Sequence, residues 1–322
     1  MLIRLADPDE RYSAVRLQSD LPAYDFARHN GEWRLDLQQT GVERLEYQLE
    51  VEREDGEIEV ILDPGNPRTA PGAFGDKSVA LLPTYAPPAW LDAPQVDGQL
   101  LSVTSPGRGL RVDVDLWSPA DADPQEPLPL LVAHDGPEYD TLSSLTRFAA
   151  AKIAADELPR HRVALLAPKE RNEWYSASPR YARVLTHQVL PSLPPTDRPP
   201  AAIGASLGAL ALLHAHKRHP GTFGALFLQS GSFFMPRFDA HESGFPYYHR
   251  VVGFVSEIHR TGYRTEVPTL LTCGSAEENI HNNRAMAETL EAPLREVADT
   301  HNYTAWRDAF DPHLTQLLAH AW

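Results

Sequence analysis

Gly204-Ala205-Ser206-Leu207-Gly208 is the segment of this sequence best equipped to do chemistry. The G-x-S-x-G spacing follows a short apolar run and opens a helical one, the pattern of a sharp strand-to-helix turn with a hydroxyl at its tip. In so tight a bend a side chain at either flanking position would collide with its neighbours, hence the two glycines. The amide of Leu207, at the helix start, is then placed to donate to a developing oxyanion, helped by the helix dipole. A serine hydroxyl is a weak nucleophile at neutral pH. It needs an imidazole to take its proton and a carboxylate to orient that imidazole.

Where such an elbow occurs, the chain order is Ser, acid, His, with the last two on loops after late strands. The strand-like run 267–273 leads into Gly274-Ser275-Ala276-Glu277-Glu278, which offers two carboxylates. The next run, 294–298, leads into Asp299-Thr300-His301-Asn302, so His301 is the expected base. Of the other histidines, His313 and His320 lie in a terminal helical stretch, and His214, His216 and His219 follow the elbow helix away from its tip. His281, just past the acid loop, is the rival. A second oxyanion donor is expected after the run 128–134, in His134-Asp135-Gly136-Pro137-Glu138-Tyr139. Pro137 has no N–H, which leaves the amide of Gly136 or of Glu138.

The elements that must position these groups fall into two textures. Residues 11–82 carry short alternating runs, at 33–37, 45–51 and 58–62, separated by turn residues, with no convincing helical period. They are expected to form a small antiparallel β-sandwich. A stiff connector with Pro83, Pro87, Pro88 and Pro94 comes next. From about Leu100 strands and helices alternate. Strand-like runs stand at 110–117, 128–134, 162–167, 200–204, 225–229, 267–273 and 294–298, with helical spacing at 142–156, 181–190, 207–217 and 283–290. This alternation implies a mainly parallel sheet covered on both faces, whose working groups gather at the carboxyl ends of the strands. The expected organisation is an N-terminal domain with connector over 1–95 and an α/β-hydrolase domain over 96–322. Residues 232–262, with Phe233, Phe234, Phe238, Phe245, Tyr247 and Tyr248, read either as an aromatic cap over the cleft or as plain core.

Composition narrows the chemistry further. Lys and Arg total 29 against 44 Asp and Glu, a formal net charge of −15, which repels nucleic acid and anionic membrane surfaces. Cys273 is the sole cysteine, so no internal disulfide can form. The N-terminus lacks the charged start and apolar core of a secretory signal, and no run reaches the roughly 18 apolar residues of a membrane span. A cytoplasmic protein is expected. There is no metal-ligand signature, phosphate loop or dinucleotide fingerprint, so no cofactor is expected.

Taken together these residues resemble the enterochelin esterase group within the esterase-D-like family. The likeness is carried by HDGPEY at 134–139, by GASLG at 204–208 continuing through His219-Pro220-Gly221 to Gln229-Ser230-Gly231-Ser232-Phe233, by Gly274 through Asn283-Arg284, and by His301 followed by Trp306-Arg307. It covers the chain from about residue 100 to the end. The resemblance implies Ser206 as nucleophile, His301 as base and Glu277, rather than Glu278, as the acid. It also implies a substrate cleft to which Arg171, in Arg171-Asn172-Glu173-Trp174, contributes, alongside Tyr139 and Phe233; a surface pairing of Arg171 with Glu170 or Glu173 is the plainer alternative. Where the family has Gly-Gly-His-Asp, this chain has Asp299-Thr300-His301-Asn302, which changes the loop and brings Asp299 towards the imidazole. The function these features imply is hydrolysis of a small-molecule ester through an acyl-enzyme, with a catecholate siderophore as the expected substrate. A carbohydrate-directed acyl esterase, or an acyltransferase using the same triad, is the alternative.

Overall fold

The computed structural model describes residues 1–22, 24–37, 41–104 and 110–322. Two compact units emerge. The first comprises Met1–Ala86 with Gly274–Glu278 and Glu296–Ala305, and the second comprises Pro87–Cys273, Asn279–Arg295 and Trp306–Trp322. Residues 87–95, read from the sequence with the N-terminal domain, fall in the second. There Trp90 is buried, its ring 5.4 Å from that of Phe148 and 6.4 Å from that of Phe310.

In the first unit Leu2–Ala6, Glu32–Asp36 and Ala27–His29 form one antiparallel sheet. A second sheet is built on Arg44–Arg53, flanked by Tyr12–Gln18, Ile58–Ile61 and Lys77–Leu81. Side chains alternate faces along a strand, so Leu45, Tyr47, Leu49 and Val51 all enter one apolar core with Ile3, Leu5, Val15, Leu17 and Trp33. Arg44 and Glu46, on the opposite face of the same strand, are also buried.

The second unit is organised on an eight-stranded sheet: β1 (Gly98–Thr104), β2 (Asp113–Pro119), β3 (Leu130–His134), β4 (Arg162–Ala167), β5 (Ala201–Ala205), β6 (Ala225–Gln229), β7 (Thr269–Gly274) and β8 (Leu294–Val297). The spatial order is β1-β2-β4-β3-β5-β6-β7-β8. β1 and β2 pair antiparallel, whereas β4, β3, β5, β6 and β7 run parallel. This is the α/β-hydrolase arrangement expected from the alternating strands and helices. The central strands β3, β5 and β6 are buried along their whole length, as apolar runs covered on both faces must be. The principal helices are α1 (Gly136–Ser143), α2 (Leu145–Ala154), α3 (Leu207–Arg218), α4 (Tyr248–Thr261) and α5 (Ile280–Leu290). Val251, Phe254, Val255 and Ile258 of α4 pack into the main core, as does Phe233. Within 232–262 these residues are therefore core. Among the described residues no helix is long and apolar enough to cross a membrane.

Candidate active site

Ser206 stands at the tip of the bend between β5 and α3 with φ 54° and ψ −124°. A side-chain-bearing residue pays about 1–3 kcal/mol to occupy such a conformation, so its surroundings must enforce it. They do so through the backbone: Ser206 N–H donates to the Gln229 carbonyl at 2.9 Å, and Ser232 N–H donates to the Ser206 carbonyl at 3.1 Å. The glycines do what the sequence pattern requires. A Cβ at Gly204 would lie 2.8 Å from the Gly208 carbonyl carbon, and one at Gly208 would lie 3.2 Å from His134 Cβ. The Ser206 hydroxyl oxygen is 3.0 Å from that of Ser232.

The end of β3 is tied to the same turn by His134. Its Nδ1 is 3.0 Å from the Gly208 carbonyl and its Nε2 is 2.9 Å from the Tyr181 hydroxyl, while its ring stacks on Tyr175 at 4.5 Å. A carbonyl only accepts, so Nδ1 carries the proton and Nε2 accepts from Tyr181. Burial pushes the imidazole pKa down to about 3, against the hydrogen bond to Gly208 and aided by Arg171, which keeps it neutral.

Asp135 follows in the left-handed conformation (φ 50°, ψ 42°), and α1 starts at Gly136. A Cβ at Gly136 would fall 2.2 Å from Leu165 Cα, so only glycine fits. The first amides of a helix have no intrahelical acceptor. Both Leu207, opening α3, and Gly136, opening α1, are such amides, as an oxyanion site requires.

Arg171 grips Asp135 with two parallel hydrogen bonds of 2.8 Å, from Nε to Oδ1 and from one terminal nitrogen to Oδ2. The arginine side chain is 38% exposed and the aspartate 4%. Its fork is therefore engaged with a carboxylate 36 positions away. Tyr139 and Phe233, expected beside a ligand, are both fully buried. Tyr139 donates to Gln229 Oε1 at 2.9 Å, and Phe233 packs into the main core.

The loop after β6 is clamped by α5 and the residue before it. Asn283 accepts from Gly231 N–H at 2.9 Å and donates to the Gly231 carbonyl at 3.0 Å, while Asn279 donates to the Ser230 carbonyl at 3.0 Å. Ser232, Asn279 and Asn283 lie within the segments that carry the family likeness, but nothing in their type or spacing says what they hold. Their roles come from tertiary contact alone.

In the first unit Glu277 and His301 meet. Glu277 Oε2 is 2.7 Å from His301 Nδ1, and Glu277 Oε1 accepts from the Gly274 N–H at 2.7 Å. The glutamate side chain is 1% exposed and the imidazole 35%. An ionised carboxylate can only accept, so Nδ1 is the donor, and a neutral imidazole in this contact carries its lone pair on Nε2. That is the tautomer a general base needs. A Cβ at Gly274 would lie 2.4 Å from the Asp299 carbonyl oxygen, which explains the glycine at the head of the acid loop. Glu278 and His281, the alternatives, are both exposed, and the His281 ring lies 5.6 Å from Phe238. Among the described residues no cluster of three His, Cys, Asp or Glu is placed to hold a metal ion.

The family model Esterase, described as "Putative esterase", matches residues 105–317. The chain belongs to this Esterase family. Similar folds among solved structures include ferric enterobactin esterase from Salmonella typhimurium, with a TM-score of 0.78 at 19% identity over 100% of this chain and 93% of that one. Enterochelin esterase from Shigella flexneri matches with a TM-score of 0.75 at 21% identity over 100% and 92%. A ferulic acid esterase matches less of this Esterase-family chain, 71%, and 99% of its own length, with a TM-score of 0.59 at 13% identity. No curated protein matches in sequence. The family read from the motifs is thus the family found, and the likeness to enterochelin esterases holds for the fold of the whole chain.

Proposed function

We propose that this Esterase-family protein is a serine carboxylic-ester hydrolase with Ser206 as nucleophile, His301 as general base and Glu277 as the orienting acid. The observation that carries the reading is the 2.7 Å contact between buried Glu277 and half-buried His301, which leaves the lone pair of a neutral imidazole on Nε2. In the reaction Ser206 Oγ bonds to the ester carbonyl carbon while His301 Nε2 takes the hydroxyl proton. The Leu207 amide, with that of Gly136 or Glu138, receives the oxyanion. Collapse expels the alcohol, which leaves with the proton from Nε2, and water then repeats the sequence on the acyl-enzyme to release the acid.

For the substrate we propose a catecholate siderophore ester opened in the cytoplasm. Support comes from coverage. The two enterobactin-type esterases match the entire chain, N-terminal β-rich part included, whereas the ferulic acid esterase matches 71%. A carbohydrate-directed acyl esterase is the second reading, on the strength of that shared catalytic fold.

A substrate panel separates them: a p-nitrophenyl ester, a feruloyl ester and a catecholate trilactone, each with wild type and Ser206→Ala. The siderophore reading expects the highest kcat/KM on the trilactone and loss of turnover in the variant. Highest kcat/KM on the feruloyl ester replaces the substrate, and an unaffected Ser206→Ala overturns the mechanism.

A further inference from the structure

Polar side chains surround His301 in the sequence, and in the first unit they are buried. Asp299, Thr300, Asn302 and Thr304 are all at or below 8% exposure. Buried polar groups must be hydrogen-bonded or they cost stability. Here the partners lie partly within the loop and partly on the strand Arg44–Arg53. Asn302 donates to Asp299 Oδ1 at 2.9 Å and accepts from the Ala305 N–H at 2.8 Å. Arg44 donates to Asn302 Oδ1 at 3.3 Å and lies 3.9 Å from Asp299 Oδ2. Glu46 accepts from Arg44 at 2.6 Å and from the Thr304 hydroxyl at 3.4 Å. The backbone repeats the link, with Glu43 N–H donating to the Ala298 carbonyl at 2.8 Å. The acid loop joins it through Ser275, whose hydroxyl donates to the Gly41 carbonyl at 3.3 Å and whose N–H donates to the Val297 carbonyl at 2.7 Å.

Stability alone does not account for this arrangement. A fully buried Arg–Glu pair is often no more stable than apolar side chains of the same volume, and the other face of this strand shows that apolar residues suit it. What the pair supplies is direction: a fork fixed by Glu46 that reaches the loop on both sides of His301. We infer that Arg44 and Glu46 are positioning residues, through which the N-terminal β-rich unit sets the placement of the His301 imidazole and its Glu277 partner. Residues 41–46 are then part of the catalytic apparatus, acting through the two loops that carry His301 and Glu277. This inference rests on the proposed role of His301.

The test uses the full-length chain and four variants: Arg44→Met, Arg44→Lys, Ser206→Ala and His301→Ala. Hydrolysis of p-nitrophenyl butyrate gives kcat and KM, fluorophosphonate labelling gives a rate independent of turnover, and backbone hydrogen exchange reports placement. A displacement of about 1 Å at a reacting group costs on the order of a hundredfold. Arg44→Met is therefore expected to lower kcat and labelling rate by about tenfold to a hundredfold, with KM within about twofold. Faster exchange should be confined to 274–278 and 296–305, and Arg44→Lys, which keeps the charge, should recover part of the loss. Wild-type kcat in a folded Arg44→Met, or exchange accelerated evenly through the chain, overturns the inference. If Arg44→Met does not fold, Arg44→Lys decides, and wild-type kcat in that variant overturns it. Failure of the triad itself reads differently: Ser206→Ala or His301→Ala would then retain activity.

Discussion

Replacing Glu277 with glutamine removes one charge and adds two hydrogens, with almost no change of shape, so its effect is set by two hydrogen bonds. One carboxylate oxygen accepts from the Gly274 N–H and the other from His301 Nδ1, both at 2.7 Å. A glutamine that keeps the Gly274 bond must present its NH2 to Nδ1. The imidazole then protonates on Nε2 and cannot take a proton from a hydroxyl. The flipped amide restores the useful tautomer but sets NH2 against N–H in a buried site, at about 1–3 kcal/mol. Exchanging a charge-assisted hydrogen bond to the imidazole for a neutral one costs roughly 1 kcal/mol more. At about 1.4 kcal/mol per decade, the sum lowers kcat by about 30- to 1,000-fold. KM should stay within about twofold, because the role proposed for the glutamate is to orient the base and not to bind the ester. The assay is steady-state hydrolysis of p-nitrophenyl butyrate near pH 8, with thermal unfolding to confirm the fold. The exposed neighbour provides the control, since Glu278→Gln should leave kcat within about twofold. Wild-type kcat in Glu277→Gln, or the large loss appearing in Glu278→Gln instead, would remove Glu277 from the role of orienting acid.

Other perturbations probe the supporting structure. Ser232→Ala deletes the hydroxyl 3.0 Å from that of Ser206. One neutral hydrogen bond is worth about 0.5–1.5 kcal/mol, so kcat should fall about two- to twelvefold. A loss beyond a hundredfold would mean Ser232 does more than hold a rotamer. Gly136→Ala forces a Cβ to within 2.2 Å of Leu165 Cα and should destabilise the fold by about 1–3 kcal/mol or more, read as a lower unfolding midpoint. An unchanged midpoint would show that β4 yields. Burial holds the pKa of His134 at about 3, and of His161 and His214 at about 4, whereas the unfolded imidazole titrates near 6.5. Between these values the unfolded state binds more protons, so stability is lost as pH falls below about 6.5. Asp299, raised to about 7 by burial against the pull of Arg44, works in the opposite sense, its contribution being lost as pH rises through 7. Near pH 5.2 these four groups together take up roughly two protons on unfolding, measurable by calorimetry in buffers of different ionisation enthalpy. Net release would contradict the buried, neutral histidines.

Much of this was legible in the sequence where a residue's role is set by its immediate neighbours. The buried strands Arg162–Ala167 and Ala225–Gln229 have the bounds that their apolar runs indicate. The elbow stands where its glycines require. Boundaries that depend on single backbone conformations were not legible. The helical spacing over 142–156 reads as one helix, yet Ser144 adopts φ 55° and divides it into α1 and α2. In helix α4 the apolar positions 251, 254, 255 and 258 follow helical period, but the aromatic residues before them suit a cap and a core alike. At the site, residue type could not sort Tyr139 and Phe233 into pocket or core, because both environments favour aromatics. The Arg171–Asp135 grip and the Arg44 network join positions 36 and more than 250 apart. No local pattern encodes pairs of that kind.

The most direct test of Ser206 as a nucleophile served by His301 is covalent trapping. The full-length protein is treated with a fluorophosphonate, digested, and the modified residue located by mass spectrometry. One phosphonyl group on Ser206 is expected, with labelling slowed by orders of magnitude in His301→Ala and unaffected in His281→Ala. A label on any other residue, or undiminished labelling of Ser206 without His301, would contradict that assignment.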